Sequence, residues 1–327
     1  MRAFSCQVCG AALFFENSLC VSCKTNLGYS RAEFDIVPVD STGAYVDSNG
    51  HSWRVCANLN LSGCTWLTDT TDRVCYSCHL TRTRPSDSDL KGLSEFFTAE
   101  EAKRRLIAEL DELGFPIVPR SADPETGLAF DLLSSSAGKV VTGHHNGVIT
   151  LDLAESNDVH RERLRINMDE PYRTMLGHFR HEIGHYYWAL LVKGDLLVEF
   201  RDLFGDERAS YAAAVDRHYQ QGPAAGWDRT YVSKYAAMHP WEDFAETFAH
   251  FLHICDTVQT ANAYGLWPTV FPLDFLDFSR LVVRTWIPMS TALNQINRSM
   301  GKDDLYPFVL PPPVLDKLQF VASLVPQ

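Results

Sequence analysis

The sequence predicts an α+β protein in which an N-terminal double zinc-ribbon module precedes a mainly helical domain with a small β-sheet. Eight of the nine cysteines fall in the first quarter of the 327 residues, whereas most of the helical patterning lies beyond residue 98. Apolar residues make up 46% and charged residues 21%, which is ordinary for a folded globular protein. We therefore predict two domains, residues 1–85 and residues 86–327.

The first cysteine group predicts a zinc ribbon. Cys6 and Cys9 form one C-x2-C knuckle, and after ten further residues Cys20 and Cys23 form another. Two knuckles can supply four thiolates to tetrahedral zinc, with a short hairpin between them. A segment below about 40 residues lacks the core to fold alone, which is a physical reason for a metal here. Reduced, buried cysteines without metal are the alternative.

The second cysteine group is looser and consists of Cys56, Cys64, Cys75 and Cys78. Seven residues separate its first two thiols, and its last two form a C-x2-C knuckle. We predict a second structural zinc here, with ordinary core thiols as the alternative. His51 and His79 are candidate substitutes for one of the four ligands.

The net charge and the hydropathy pattern limit which partners the protein can have. The formal net charge is -12, which repels nucleic acid on average, and the ribbons lack a Lys/Arg-rich face interleaved with aromatics. Residues 1–6 lead into the cysteines without the apolar run of a signal peptide, and Tyr186 to Val192 is too short to cross a bilayer. We expect a cytoplasmic protein with no nucleic-acid or membrane partner.

The middle of the chain alternates between strand and helix signals. Residues 82–90 are typical of a linker, and Thr98 to Glu101 matches a capping box that would start a helix ending at Gly114. Asn146-Gly147 predicts a hairpin turn, followed by a strand from Val148 to Leu153. That strand could pair with extended substrate beside a cleft, or could belong to a plain scaffold hairpin.

The second half is predicted to be mainly helical. A central helix should begin at Pro171, in its first position, and run to about Val192 before Gly194. Another helix is expected from Glu207 to Tyr219. From Thr257 onward the pattern remains mostly helical, interrupted by the prolines at 311–313.

The central helix carries the sequence His181-Glu182-Ile183-Gly184-His185. Residues four apart share a helix face, so both imidazoles can bind one ion, while Glu182 lies round the helix where it can reach water on that ion. This is the HExxH signature of zinc peptidases. It supplies two ligands and needs a third.

The spacing of downstream residues indicates the third ligand. A metzincin would need Gly and His at the positions of Trp188 and Leu191, so that arrangement fails. Glu242 and Glu246 share a face of a second predicted helix and lie among aromatic residues, where carboxylates are costly unless a cation offsets them. We predict that Glu242 binds zinc and that Glu246 hydrogen-bonds the distal nitrogen of a motif histidine, with Glu246 as the competing ligand.

We expect the other polar residues of this segment to have structural rather than metal-binding roles. Asp243, His250 and His253 are weaker ligand candidates, and both histidines suit core or surface positions. Cys255 is expected to be a small buried side chain.

The site resembles that of gluzincins of the anthrax-lethal-factor type, in which a Tyr is followed by Glu at +7 and again at +11. Tyr235, Glu242 and Glu246 match those offsets. The resemblance implies that the Tyr235 phenol donates to the oxyanion of the tetrahedral intermediate. Tyr231 and His239 are alternatives, as is plain packing of Tyr235.

A broader resemblance covers nearly the whole chain. Both cysteine groups, Thr142-Gly-His, the segment 170–188, Phe204-Gly-Asp206, His239-Pro-Trp-Glu-Asp243 and Asp304-Leu-Tyr-Pro-Phe308 resemble bacterial zinc-binding metallopeptidases with an N-terminal zinc ribbon. This likeness implies a zincin-like catalytic domain and a peptidase assignment. It implies no particular substrate.

Together these patterns predict a zinc metalloendopeptidase with one catalytic and two structural zinc ions. Zinc held by His181, His185 and Glu242 would activate water, Glu182 would act as general base, and a peptide or protein would be the substrate. The alternative is a non-catalytic adaptor whose ribbons bind a protein partner. A zinc deaminase is disfavoured, because neither cysteine pair follows an H-x-E box in the required order.

Overall fold

A computed structural model of the chain describes residues 2–157, 174–268 and 273–326. It divides into two compact units, one formed by residues 1–112 and 116–161 and the other by residues 113–115 and 162–327. Short strands and two cysteine groups characterise the first unit, and helices dominate the second. The predicted α+β class is therefore confirmed.

The N-terminal half of the first unit is built from short antiparallel strands: β1 (Phe4–Ser5), β2 (Ala12–Leu13), β3 (Asn26–Ser30), β4 (Asp35–Val39), β5 (Ala44–Val46), β6 (Ser52–Val55) and β7 (Leu67–Asp69). They pair as β1-β2, β3-β4 and β5-β6-β7. Val37, Val39 and Leu67 form a small buried cluster, with Tyr45 and Trp53 packed against it. Buried Phe15, Tyr29 and Trp66 add to this core, with the Tyr29 ring centroid 4.8 Å from that of Phe15 and 5.0 Å from that of Trp66.

The remainder of the first unit contains α1 (Leu59–Ser62), α2 (Tyr76–His79), β8 (Thr81–Thr83), α3 (Leu90–Glu112), β9 (Ala129–Leu133), β10 (Gly143–His145) and β11 (Val148–Asp152). Strands β10, β11, β9 and β8 form one sheet in that order. Because β8 pairs with β9, the predicted domain boundary after residue 85 falls inside this compact unit. That boundary stays a prediction.

Two expectations for this unit were wrong. Residues 81–83 form a strand rather than part of a linker, and α3 begins at Leu90, eight residues before Thr98. The Asp89 carboxylate accepts a hydrogen bond from the Gly92 amide at 2.8 Å, so Asp89 supports the start of the helix. Thr98 is therefore an interior position of a 23-residue helix.

Strand β11 has neighbours on both sides, which decides between its two interpretations. It pairs antiparallel with β10 and parallel with β9. Its backbone hydrogen-bonding groups are thus used within the sheet, and Asn146 and Gly147 form the predicted turn with positive φ. The structure favours a scaffold hairpin over a strand that pairs with substrate.

The second unit consists of helices: α4 (Met175–Leu191), α5 (Asp195–Phe204), α6 (Tyr211–Gln221), α7 (Pro240–Ala263), α8 (Phe278–Leu281), α9 (Ile287–Ser299) and α10 (Pro312–Ser323). A π-helical turn, Val282–Trp286, joins α8 to α9. Short 3-10 turns at Trp227–Arg229 and Ala236–Met238 lie between α6 and α7. None of the helices in the described ranges is long and apolar enough to cross a membrane.

Several helix boundaries differ from the sequence predictions. The central helix, α4, begins at Met175 after an N-cap at Thr174, and Pro171 lies outside the described residues. Helix α6 begins at Tyr211 rather than Glu207, because Ser210 caps it by accepting from the Ala213 amide. Pro312 and Pro313 open α10 instead of interrupting helical structure, as expected for prolines in a first turn.

Candidate metal centre

Helix α4 presents the two motif histidines on one face. The Thr174 hydroxyl caps the helix by accepting from the Gly177 amide at 2.9 Å, which sets its register. One turn later His181 and His185 lie above each other, with their Nε2 atoms 3.2 Å apart. Both rings therefore present the same type of nitrogen to one point.

Helix α7 supplies the carboxylates. His239 caps it, its Nδ1 accepting from the Trp241 amide at 3.1 Å, and Pro240 occupies the first position. Glu242 lies in the first turn, where the positive end of the helix dipole favours an acid. Glu246 follows one turn further on the same face.

The ligand atoms from the two helices converge. Glu242 Oε2 lies 3.0 Å from His181 Nε2 and 3.3 Å from His185 Nε2, and the two nitrogens are 3.2 Å apart. A tetrahedral zinc with bonds of about 2.0–2.1 Å would separate its ligand atoms by about 3.3–3.4 Å. The three distances thus fit a single small cation with little adjustment, and the donor set of two imidazoles and a carboxylate suits zinc.

A glycine allows the helices to approach this closely. A Cβ placed on Gly184 would lie 2.9 Å from the Ala245 Cα and 3.1 Å from the Phe248 Cβ. Any larger side chain would push α4 and α7 apart, and with them the histidines and Glu242. The glycine of the His-Glu-Ile-Gly-His sequence is therefore part of how the site is assembled.

Glu246 makes a different contact from Glu242. Its Oε1 lies 2.8 Å from His181 Nδ1, and its Oε2 accepts a hydrogen bond from the Ser233 hydroxyl at 2.6 Å. The carboxylate therefore fixes the orientation of the His181 ring and leaves Nε2 to face Glu242, an arrangement common for metal-binding histidines. Ser233 was missed by sequence reasoning, because no spacing rule links it to Glu246.

The second oxygen of Glu242 is also engaged. The Tyr211 hydroxyl donates to Glu242 Oε1 at 2.8 Å. Sequence reasoning missed Tyr211, which begins a helix 31 residues before the carboxylate and has no motif of its own.

The electrostatics of the cluster favour bound positive charge. Burial lowers the pKa of His181, but hydrogen bonds and the charges of Glu242 and Glu246 outweigh it and raise that pKa well above its usual value. Burial raises the pKa of Glu242, and the two histidines more than reverse this and depress it. The carboxylates thus stabilise positive charge on or between these imidazoles.

Glu182 is buried beside the cluster, with 6% of its surface exposed. Its Oε2 has no hydrogen-bond partner among the residues of the described ranges. A buried carboxylate oxygen in that situation is costly unless a ligand or water uses it. The geometry thus provides a carboxylate available to a bound molecule.

Tyr235 lies next to the histidines. Its ring centroid is 5.7 Å from that of His181, and burial, together with the charge of Glu242, raises its pKa well above the ordinary value. Its hydroxyl is therefore protonated over the physiological pH range and is available as a donor.

The remaining candidates make structural contacts. Asp243 pairs with Lys317 at 2.6 Å, and the ammonium lies 4.3 Å above the Tyr231 ring. Burial raises the pKa of Asp243 to about 7 even though Lys317 opposes the shift. His250 Nδ1 lies 2.6 Å from the Tyr306 hydroxyl, and His253 Nδ1 lies 2.7 Å from Arg180 Nη1.

The first cysteine group also converges. Cys6 Sγ lies 3.6 Å from Cys23 Sγ, and Cys9 Sγ lies 3.7 Å from Cys20 Sγ. These distances are too long for disulfides and close to the separation of about 3.8 Å expected for four thiolates on zinc. Hydrogen bonds from the Thr25 hydroxyl and amide lower the pKa of Cys23 to about 6, which favours a thiolate.

The four sulfur atoms of the second cysteine group also lie close together, and this group is buried. Cys56 Sγ lies 3.7 Å from Cys78 Sγ, Cys64 Sγ lies 3.4 Å from Cys75 Sγ, and all four residues are buried. Hydrogen bonds from the other three thiols hold the pKa of Cys56 well below its usual range. The candidate substitute His51 instead lies 2.8 Å from an Asp69 oxygen, and His79 is exposed.

Two family models match most of the chain. A family model described as "Putative zinc-binding metallo-peptidase" matches residues 92–324, and a zinc-ribbon domain model matches residues 3–89. The chain belongs to this metallopeptidase family. Uncharacterised proteins of Mycobacterium bovis and Mycobacterium tuberculosis are 52% identical over 333 residues, covering 99% of this chain and 95% of each relative. No solved structure matches.

Proposed function

We propose that this family member is a zinc-dependent endopeptidase of gluzincin type, with zinc held by His181, His185 and Glu242. The observation that supports it most directly is the triangle of His181 Nε2, His185 Nε2 and Glu242 Oε2, with sides of 3.0–3.3 Å. Three protein ligands leave one tetrahedral position for water or substrate, the arrangement of a catalytic rather than a structural zinc.

Each residue of the site has a separate role in peptide hydrolysis. When bound, zinc supplies Lewis acidity that lowers the pKa of a water and polarises a carbonyl. Glu182 accepts the proton of the attacking water and passes it to the leaving amine. The Tyr235 hydroxyl donates to the developing oxyanion, and Glu246 holds the His181 ring in place throughout.

The test of this assignment is Glu182→Gln, which keeps the shape of the side chain and removes its basicity. We expect the zinc content to stay at the parent value while cleavage of a peptide pool, followed by mass spectrometry, falls by about 10²–10⁴-fold. Glu199→Gln, on the exposed face of α5, is the matched control and should cleave at the parent rate. Cleavage by Glu182→Gln at the parent rate would show that the base is assigned wrongly.

A protein-binding role of the ribbons is the second candidate, and exposed apolar side chains favour it. Val8, Phe14 and Val21, all in the first ribbon, are 60%, 70% and 75% exposed. Exposed large apolar side chains are available for contact with a protein partner. A parent protein that retains its zinc but cleaves no member of diverse peptide pools would favour this adaptor role over the enzyme.

A further inference from the structure

Tyr211 contacts the oxygen of the Glu242 carboxylate that does not face the histidines. We propose that Tyr211 is a positioning residue that keeps Glu242 a single-oxygen ligand. The inference deepens the proposed function, because it concerns the same metal centre.

The first observation is that the two oxygens of Glu242 contact different partners. Oε2 faces His181 Nε2 and His185 Nε2 at 3.0 and 3.3 Å, whereas Oε1 accepts from the Tyr211 hydroxyl at 2.8 Å. Glu242 is only 2% exposed, so water cannot readily take over the contact to Oε1. Tyr211 thus supplies the hydrogen bond that this buried oxygen needs.

The second observation is that the backbone around Tyr211 is hydrogen-bonded to the start of α7. The Ala209 carbonyl lies 3.1 Å from His239 Nε2, and Ser210 caps α6 immediately before Tyr211. The Tyr211 ring lies 5.3 Å from the His239 ring and 6.1 Å from that of Trp241. The helix that carries Glu242 therefore also holds the tyrosine that constrains it.

The consequence concerns the number of ligand atoms on the metal. A carboxylate free to present both oxygens can occupy two coordination positions, which would fill the site that water or substrate needs. With Oε1 engaged by Tyr211, Glu242 presents Oε2 alone and a fourth position remains open. Losing such a supporting hydrogen bond typically weakens metal affinity by about 10–100-fold.

Tyr211→Phe in the full-length protein tests the inference, with Tyr219→Phe as the matched control. Tyr219 lies on the same helix and is 65% exposed, against 40% for Tyr211. The affinity of the most weakly held zinc would be measured by competition with a chelator, and that equivalent would then be replaced by cobalt(II). We expect Tyr211→Phe to bind zinc about 10–100-fold more weakly and its cobalt form to absorb less in the visible, since five-coordinate cobalt absorbs less than tetrahedral cobalt.

The outcomes separate the possibilities. Tyr219→Phe should match the parent in both measurements, and Tyr235→Phe should lower turnover while changing zinc affinity by less than about threefold. Parent-like affinity and spectrum in Tyr211→Phe would overturn the inference, as would an equal loss in Tyr219→Phe. Both metal measurements are independent of peptide cleavage. If they change as expected and no peptide is cleaved, the positioning role stands and the peptidase assignment fails.

Discussion

The cysteine groups of the first unit and the candidate metal centre of the second differ in the ligand atoms that they bring together. Each cysteine group offers four equivalent sulfur atoms, all within 4.8 Å of one another. The candidate metal centre offers two imidazole nitrogens and one carboxylate oxygen from two helices, and His181 and Glu242 have further hydrogen bonds that fix their orientation. A saturated thiolate site excludes substrate, whereas a three-ligand site retains an open position.

The two regions also differ in what supports their folds. The strands around the cysteine groups are only two to five residues long, and the side chains buried among them include Tyr29 and Trp66. Helix α7 alone buries Phe244, Phe248 and Phe251 completely. We therefore expect the cysteine groups to depend on zinc for folding, and the helical unit to retain its fold without metal.

Removing one buried thiol should produce the largest effect. Cys64→Ala takes a ligand from the fully buried second group, and structural zinc binding contributes on the order of 10 kcal/mol to folding in small zinc modules. We expect zinc content to fall from about three ions per chain to about two, with hydrogen-exchange protection lost around residues 56–80 and kept in α4 and α7.

Cys255→Ala is the control for that experiment. Cys255 is buried in α7 and is not among the three groups of candidate ligands found in the described residues. It should leave the zinc content unchanged. If Cys64→Ala retained full zinc and full protection, the second group would be a cluster of core thiols, the alternative that its loose spacing left open.

The local parts of both regions could be predicted from sequence, because local geometry determines them. The C-x2-C spacings bring sulfur atoms together within one turn of chain, and the i, i+4 spacing brings His181 to His185. The carboxylates of α7 followed from the same periodicity.

The parts that could not be predicted depend on contacts between distant segments. Tyr211 reaches Glu242 only because the loop after α5 returns to the start of α7, and no local pattern encodes that path. The capping box at Thr98 was outweighed by Asp89, whose carboxylate starts α3 eight residues earlier. The residue pattern at 148–152 predicts a strand, but it does not determine which two strands pair with it in the sheet.

Acid should destabilise the helical unit through buried histidines, an effect of intermediate size. Burial lowers the pKa of His250 to about 4, with the charge of Glu246 opposing the shift, whereas in an unfolded chain that pKa is about 6.5. Between those values the unfolded chain binds a proton that the folded chain does not. The free energy of unfolding should therefore fall by up to about 3 kcal/mol as the pH drops from about 6.5 to about 4.

His250→Asn isolates this contribution. The asparagine amide oxygen can replace Nδ1 as the acceptor for the Tyr306 hydroxyl, and it does not titrate. Urea unfolding of the metal-free protein at pH 7 and pH 5 should show a smaller pH dependence for the variant than for the parent. An identical slope in both proteins would mean that other groups, such as His253, cause the acid sensitivity.

The smallest expected effect comes from Gly184→Ala, which alters the contact between the two helices that carry the ligands. The added Cβ would lie 2.9 Å from the Ala245 Cα, and overpacking of this kind costs about 1–3 kcal/mol. Because the strain lies between α4 and α7, part of it should appear as weaker zinc binding and part as a lower melting temperature.

Gly143→Ala is the matched control, since a Cβ there would have no atom within 4 Å and φ is not positive. That substitution should change neither zinc affinity nor melting. A Gly184→Ala protein that melts earlier but binds zinc like the parent would show that the helices separate without moving His185 from Glu242. The donor triangle would then be maintained by its own hydrogen bonds, including those of Glu246 and Tyr211, rather than by the close approach of the helices.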